Sequence, residues 1–285
     1  MKILGIVVLF YPDEKKVIKN ILSYLSSLDT LILWDNTPGN KAEEALKSFS
    51  SCKLIRMGCG CNVGLGKAYN EAAKYAIENN FTHLLTMDQD SCFKNSSFVD
   101  YCKIISFHGG LHTSIYSPNY MQYTGLTSIV SDCVREVDRC QSSGSLISVD
   151  IFKKGGIFFL EELIAYGVDS DFCSRARLNG FRVYSVDSII LIHGAGYQKS
   201  KRKFLWKTVF PNEYPPLNTY LMIRNFFYLK QIANYHMGEG FCKYYLFKRS
   251  VFILCYETNK WKKYKAIILG IYDGIRGNMR REIRF

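Results

Sequence analysis

Short apolar runs alternate with helix-like stretches over the first two thirds of the chain, which predicts an α/β protein with a mostly parallel central sheet. Acidic residues fall where several of the apolar runs end, the place where such sheets bind ligands. The last third differs in kind. Residues 1–200 hold 20 Lys/Arg and 20 Asp/Glu, whereas residues 201–285 hold 17 and 5, so the whole excess of +12 lies in a helical, basic C-terminal region. At 285 residues and 48% hydrophobic, the chain can bury a sizeable core and is not disordered.

The opening MKILGIVVLFYP has a short apolar run followed by Pro12 and Asp13 instead of a small-residue cleavage site, so it reads as a buried first strand and not as a signal peptide. A helical stretch over residues 15–27 leads to the strand LILW, to Asp35-Asn36 and to a helix near 42–48. The strand KLIRM and the loop GCGCNVGLG precede the helix KAYNEAAKYAIENN, and HLLTM runs into Asp88. Residues 110–150 are less regular, with strand-like pieces and QSSGSLIS as a loop. The helix DSDFCSRARLNG follows, then FRVYSV and SIILIH, the latter ending at His193. Three helices are expected beyond it, in LNTYLMIRNFFYLKQIAN, FCKYYLFKRSVFILCY and WKKYKAIILGIYDGIRG. A catalytic domain over 1–200 and an extension over 201–285 are therefore expected. The ten cysteines lack zinc-type spacing and read as reduced thiols of a cytosolic protein.

Four stretches can carry chemistry. In LLTMDQDSCF, residues 84–93, Asp88 and Asp90 follow a buried strand; two such carboxylates repel unless a cation lies between them, and magnesium or manganese suits carboxylate oxygen. The glycines of NVGLGKAYNEA fit either a close backbone approach to a nucleotide at a helix N-terminus or a tight loop entering a helix. Asp169 and Asp171 open a helix, where one caps free N–H groups, Asp171 can pair with Arg175, and one can instead be a general base. His193 is either a core histidine or a group at the ligand crevice.

In order and spacing, Phe10-Tyr11, Asp35-Asn36, Asn62-Val63-Gly64, Asp88-Gln89-Asp90, Ser143-Gly144, Asp169-Ser170-Asp171 with Arg175, and His193 together resemble family 2 glycosyltransferases, which have the GT-A fold. The resemblance covers roughly residues 1–200 and is strongest to bacterial rhamnosyltransferases, which share a Tyr…Arg-Asn segment, here Tyr220 and Arg224-Asn225. It implies that Asp35, with Asn36, the Phe10-Tyr11 backbone and the loop at Asn62 and Gly64, receives the pyrimidine base. Asp88 and Gln89 would lie on the ribose and diphosphate side. Asp90 and His193 would hold a divalent metal, Mn or Mg, and Asp169 would be the base. Ser143, Gly144 and Asp171 would lie on the acceptor side. Tyr166 stands where relatives often carry an acidic residue, which departs from the pattern.

The implied activity is inverting transfer of a sugar, L-rhamnose from dTDP-rhamnose by the resemblance, to a bacterial surface polysaccharide precursor such as an O-antigen or capsule unit. A UDP-hexose or UDP-galactofuranose donor is the alternative. A haloacid-dehalogenase-type phosphatase also places DxD after a strand, but usually at the start of the chain and followed by Gly-Thr; here 87 residues precede Asp88 and Ser-Cys follows. A non-catalytic membrane adaptor is opposed by the full set of acids. The basic tail, with Trp206 and Trp261, fits the cytoplasmic face of the membrane, where cations meet anionic lipid and a lipid-linked acceptor would be within reach. A merely solvated face is the alternative, and no nucleic-acid-binding signature is present. No apolar run reaches the length of a membrane span.

Overall fold

The computed structural model describes residues 1–109, 114–122, 125–126, 134–194, 201–204, 206–232, 239–280 and 285. The chain divides into two compact units, one of residues 1–164 and 168–194, the other of residues 165–167 and 195–285.

The first unit begins with β1 (Ile3–Leu9), α1 (Glu14–Leu22), β2 (Thr30–Asp35), α2 (Lys41–Ala45), β3 (Leu54–Gly58), α3 (Gly64–Glu78) and β4 (His83–Asp88). All of β1 is buried, as its unbroken apolar run requires of a strand covered on both faces. Asp13 starts α1 by accepting a hydrogen bond from the Lys16 N–H at 3.1 Å. Strands β3, β2, β1 and β4 lie side by side and parallel, with Leu9 opposite Asp35 and Val8 opposite Asp88. That register brings the carboxyl ends of three strands to one rim of the sheet.

The unit continues with β5 (Ser91–Phe93), α4 (Phe98–His108), β6 (Ser114–Gln122), β7 (Gly125–Leu126), β8 (Val134–Glu136), β9 (Ser145–Ser148), α5 (Val149–Lys153), α6 (Val168–Leu178) and β10 (Arg182–His193). The SLIS of the expected loop is in fact β9, a fully buried strand antiparallel to both β4 and β6. Four residues are too short a run for sequence periodicity to separate from a loop. FRVYSV and SIILIH form one strand with an irregularity between Val186 and Ile190. The sheet order is β3-β2-β1-β4-β9-β6-β10-β5, with β7 beside β6 and β8 beside β10. Its core joins one face of the sheet to α1 and α4 through residues such as Val7, Ile21, Tyr24, Phe98 and Leu191.

The second unit holds the hairpin β11 (Arg202–Phe204) and β12 (Lys207–Val209), then α7 (Pro216–Ile232), α8 (Glu239–Tyr256) and α9 (Lys260–Arg276), the three helices expected. Helix α9 crosses α7 closely because Gly270 and Gly274 carry no side chain: a Cβ on Gly274 would stand 2.5 Å from the Arg224 carbonyl oxygen. The Tyr…Arg-Asn segment is internal to this unit. Tyr220 donates its hydroxyl to Asp273 at 2.9 Å, Arg224 donates to Asn225 Oδ1 and the Met279 carbonyl, and Asn225 donates to the carbonyls of Ala165 and Tyr166. A buried ionic cluster links Arg249 and Lys263 to Glu257, with Thr219 receiving a further Arg249 hydrogen bond. Such a cluster is tolerated inside a fold only when its opposite charges are paired.

Candidate active site

Asp88 is the last residue of β4 and Asp90 lies in the turn to β5. The two acids nevertheless converge with His193, because β10 runs antiparallel to β5 with His193 opposite Ser91. One ligating atom from each of Asp88, Asp90 and His193 lies within 4.8 Å of the other two. His193 Nδ1 stands 3.9 Å from Asp88 and 3.7 Å from Asp90, and it shares a 2.7 Å hydrogen bond with the buried Ser91 hydroxyl, which orients the ring. Nothing in the sequence marks Ser91, one residue past the DxD, as a histidine partner.

The donor set suits a divalent cation: carboxylate oxygen and imidazole nitrogen are what manganese accepts. Burial pushes the Asp88 carboxyl up to about 6, opposed by His193 and assisted by the charges of Asp90 and Asp169, so anionic charge collects here without full compensation. Gly194 keeps the trio open, because a Cβ there would collide with the Asp90 carboxylate. Gly194→Ala is therefore expected to weaken manganese binding by about tenfold with little change in thermal stability, checked by calorimetric titration and a melting curve.

Gln89, between the acids, clamps β1: its amide accepts from the Phe10 N–H at 2.9 Å and donates to the Phe10 carbonyl at 3.0 Å. Asn20 of α1 donates to the Gln89 carbonyl at 2.9 Å, a support that sequence spacing could not reveal. Phe10 and Tyr11 lie exposed at the same rim, and the Tyr11 N–H donates to Thr37 at 3.0 Å.

Asp35 is buried at the end of β2, where its carboxylate accepts from the Thr37 N–H at 2.7 Å and the Ala42 N–H at 3.0 Å. It thereby shapes the loop that borders a cavity of about 140 Å³ lined also by Leu33, Asn40, Arg56 and Gly58. Asn36 ties β2 to the next loop, accepting from Trp34 and from the Val63 N–H and donating to the Gly64 carbonyl. Asn62 accepts from the Gly64 N–H at 3.0 Å. The glycines of this loop approach protein backbone: a Cβ on Gly64, whose φ is +82°, would lie 2.7 Å from the Ile164 Cα, and one on Gly66 would lie 2.6 Å from the Leu160 carbonyl oxygen. Of the two uses open for NVGLG, the tight loop entering a helix accounts for both glycines.

Asp169 sits at the start of α6, with its carboxylate accepting from the Ser170 N–H at 2.8 Å. Burial raises its pKa, while the backbone N–H groups of Ser170, Asp169 and Ser142 and the charge of Arg139 lower it, leaving it above the ordinary carboxylate range. It lines a cavity of about 310 Å³ together with Asn119, Arg135, Arg139, Gln141 and Ser185.

Ser143, Gly144 and Asp171, expected on the acceptor side, make their described contacts within the protein. Ser143 is buried and its hydroxyl accepts from the Asp88 N–H at 3.1 Å, so it supports the DxD from behind. Gly144, at φ +78°, is packed under Pro118 and donates to the Thr86 carbonyl at 2.7 Å. Asp171 is fully buried and paired with Arg175 in the i,i+4 manner, and Arg175 also donates to the Phe158 carbonyl at 2.8 Å. The residues that line the space next to Asp169 come from β6, β8, the segment after β8 and Ser185 of β10.

No family model matches the chain. It is 24% identical over 290 residues, 95% of either chain, to the dTDP-rhamnosyl transferase RfbF of Shigella flexneri. Its fold matches that of S. aureus TarS 1–349 in complex with UDP-GlcNAc at a TM-score of 0.61 and 17% identity, over 98% of this chain and 83% of that one. It matches GalNAc-T7 with UDP, GalNAc and Mn²⁺ at 0.56 and 12%, over 68% of this chain and 44% of that one. With a mostly parallel sheet whose strand ends gather these acids, and with a transferase similar along nearly its whole length, the chain is a glycosyltransferase of GT-A fold, resembling family 2 and rhamnosyltransferase-like in kind.

Proposed function

We propose that the chain is an inverting, metal-dependent rhamnosyltransferase, moving L-rhamnose from dTDP-rhamnose to a hydroxyl of a bacterial surface polysaccharide precursor, an O-antigen or capsule unit. The observation that carries the reading is the convergence of Asp88, Asp90 and His193 on one spot, with Asp169 close enough for its charge to act on Asp88. The donor sugar rests on the name of the Shigella relative.

In this reading residues 1–200 form the catalytic domain and 201–285 an extension at the inner face of the cell membrane. Among the described residues no helix is long and apolar enough to cross a membrane, so the association proposed is peripheral. Asp88, Asp90 and His193 hold a divalent cation, Mn or Mg, which when bound neutralises charge building on the departing diphosphate. The rim formed by Phe10, Tyr11, Asp35 and the Asn62 loop receives the nucleoside. The acceptor enters the cavity lined by Asn119, Arg135, Arg139 and Gln141.

Asp169 takes the proton from the acceptor hydroxyl as that oxygen attacks the anomeric carbon from the face opposite the diphosphate. The bond from that carbon to the diphosphate oxygen breaks, its electron pair leaves with dTDP, and the configuration inverts. A carboxylate with a raised pKa is a stronger base than an ordinary one.

The test is a donor panel. Purified protein with manganese is offered dTDP-rhamnose, UDP-glucose, UDP-galactofuranose and UDP-GlcNAc, and released nucleotide is measured. Metal-dependent release from dTDP-rhamnose at a rate at least about tenfold above the others is expected. Preference for a UDP sugar keeps the class and replaces the donor; release from none of them removes the class.

A further inference from the structure

Helix α9 is amphipathic in two senses at once. Ala266, Ile267, Gly270, Asp273 and Gly274 face inward onto α7. On the opposite side, Trp261, Lys265, Ile268, Tyr272 and Ile275 recur every three or four residues, the spacing of a single helix face, and all of them are exposed. Trp261 is 88% exposed and Ile268 67%, values that water disfavours for side chains of this size in a row.

The charge around this stripe has one sign. Lys260, Lys262, Lys265 and Arg276 are exposed, Arg276 lies 4.3 Å over the Tyr272 ring, and the helix's single acid, Asp273, is buried and bonded to Tyr220. Two other acids of the unit are also spent internally, Glu257 on Arg249 and Lys263, and Glu213 on Thr258 and Lys263.

We propose that the outer face of α9 is a docking surface for an anionic lipid bilayer, with Trp261, Ile268, Tyr272 and Ile275 entering the headgroup region and Lys260, Lys262, Lys265 and Arg276 meeting lipid phosphates. This rests on the peripheral-membrane reading above and gives it a specific surface. A solvated helix face would carry polar residues where the tryptophan and isoleucines stand. A second copy paired through the same face would set cations against cations with no exposed acid on the helix to receive them. A bilayer supplies both an apolar layer for the stripe and phosphate for the cations.

The experiment uses the full chain and sedimentation with vesicles of mixed phosphatidylglycerol and phosphatidylcholine, against phosphatidylcholine alone. Wild type is expected to partition to the anionic vesicles and to be released by high salt. Trp261→Ser combined with Ile268→Asp is expected to weaken partition about tenfold, and Lys262→Gln or Lys265→Gln about fivefold each. Phe107→Asp, an equally exposed site on the other unit, should leave partition unchanged. Melting curves and donor hydrolysis of the stripe variant equal to wild type would show that it folds. If wild type sediments with anionic vesicles and both sets of variants do so equally, the surface is wrong while membrane association stands. If wild type stays in solution, both fall. If the stripe variant converts a dimer to a monomer without altering sedimentation, the face joins two copies and the proposal is overturned.

Discussion

Asp169→Asn is expected to reduce transfer by about two to four orders of magnitude while dTDP-rhamnose affinity stays within about twofold of wild type. The amide keeps the shape that accepts the Ser170 N–H but cannot take a proton, so proton removal is lost and donor contacts are not. The pH profile adds an independent readout. Asp169 works as a base only when ionised, and burial holds its carboxyl above the ordinary range, so the wild-type rate should fall as pH drops through that raised value. The residual rate of the variant should lack that limb. Single-turnover transfer across pH, with donor affinity measured separately, checks both parts. A variant that fails to bind donor would place Asp169 on the donor side instead.

Asp90→Ala is expected to lower manganese affinity by at least about tenfold and to bring donor hydrolysis down with it. Asp90 is the most exposed of the trio and makes its closest described contact with His193, so its removal leaves the surrounding strands intact. A second consequence concerns pH in the unsubstituted protein. Asp88 has its carboxyl raised to about 6, so it is protonated below that value and a cation must displace the proton. Manganese affinity should therefore drop by about tenfold between pH 7 and pH 5, titratable by calorimetry. Unchanged affinity in both experiments would move the cation elsewhere.

Much of the first unit was legible in the chain because strand burial leaves a local trace. Ile3–Leu9 has no polar side chain and Leu84–Met87 only Thr86, as suits strands covered on both faces, and acids placed just past such runs fall at the rim. The three helices of the second unit were legible for a similar reason, since their length leaves room for a periodic pattern. Strand β9 was not, because four residues carry no period, and its antiparallel insertion between β4 and β6 depends on partners more than twenty residues away.

Within the site, the sequence by itself determined which residues carry charge and how many residues separate them. That was enough to single out Asp35, Asp88, Asp90, Asp169 and His193 and to give Asp171 the Arg175 partner it has. Only the tertiary structure decided which of these meet. The pairing of β10 with β5 brings His193 to the DxD across a hundred residues, and the same packing turns Ser143, Gly144 and Gln89 into internal supports. It also decided that the outer stripe of α9 lies uncovered, because a helix pattern states which residues share a face but not which face a neighbour will take. The physical reason is the same throughout: side-chain chemistry and helical period are properties of the local chain, whereas proximity and burial come from pairings between segments distant in sequence.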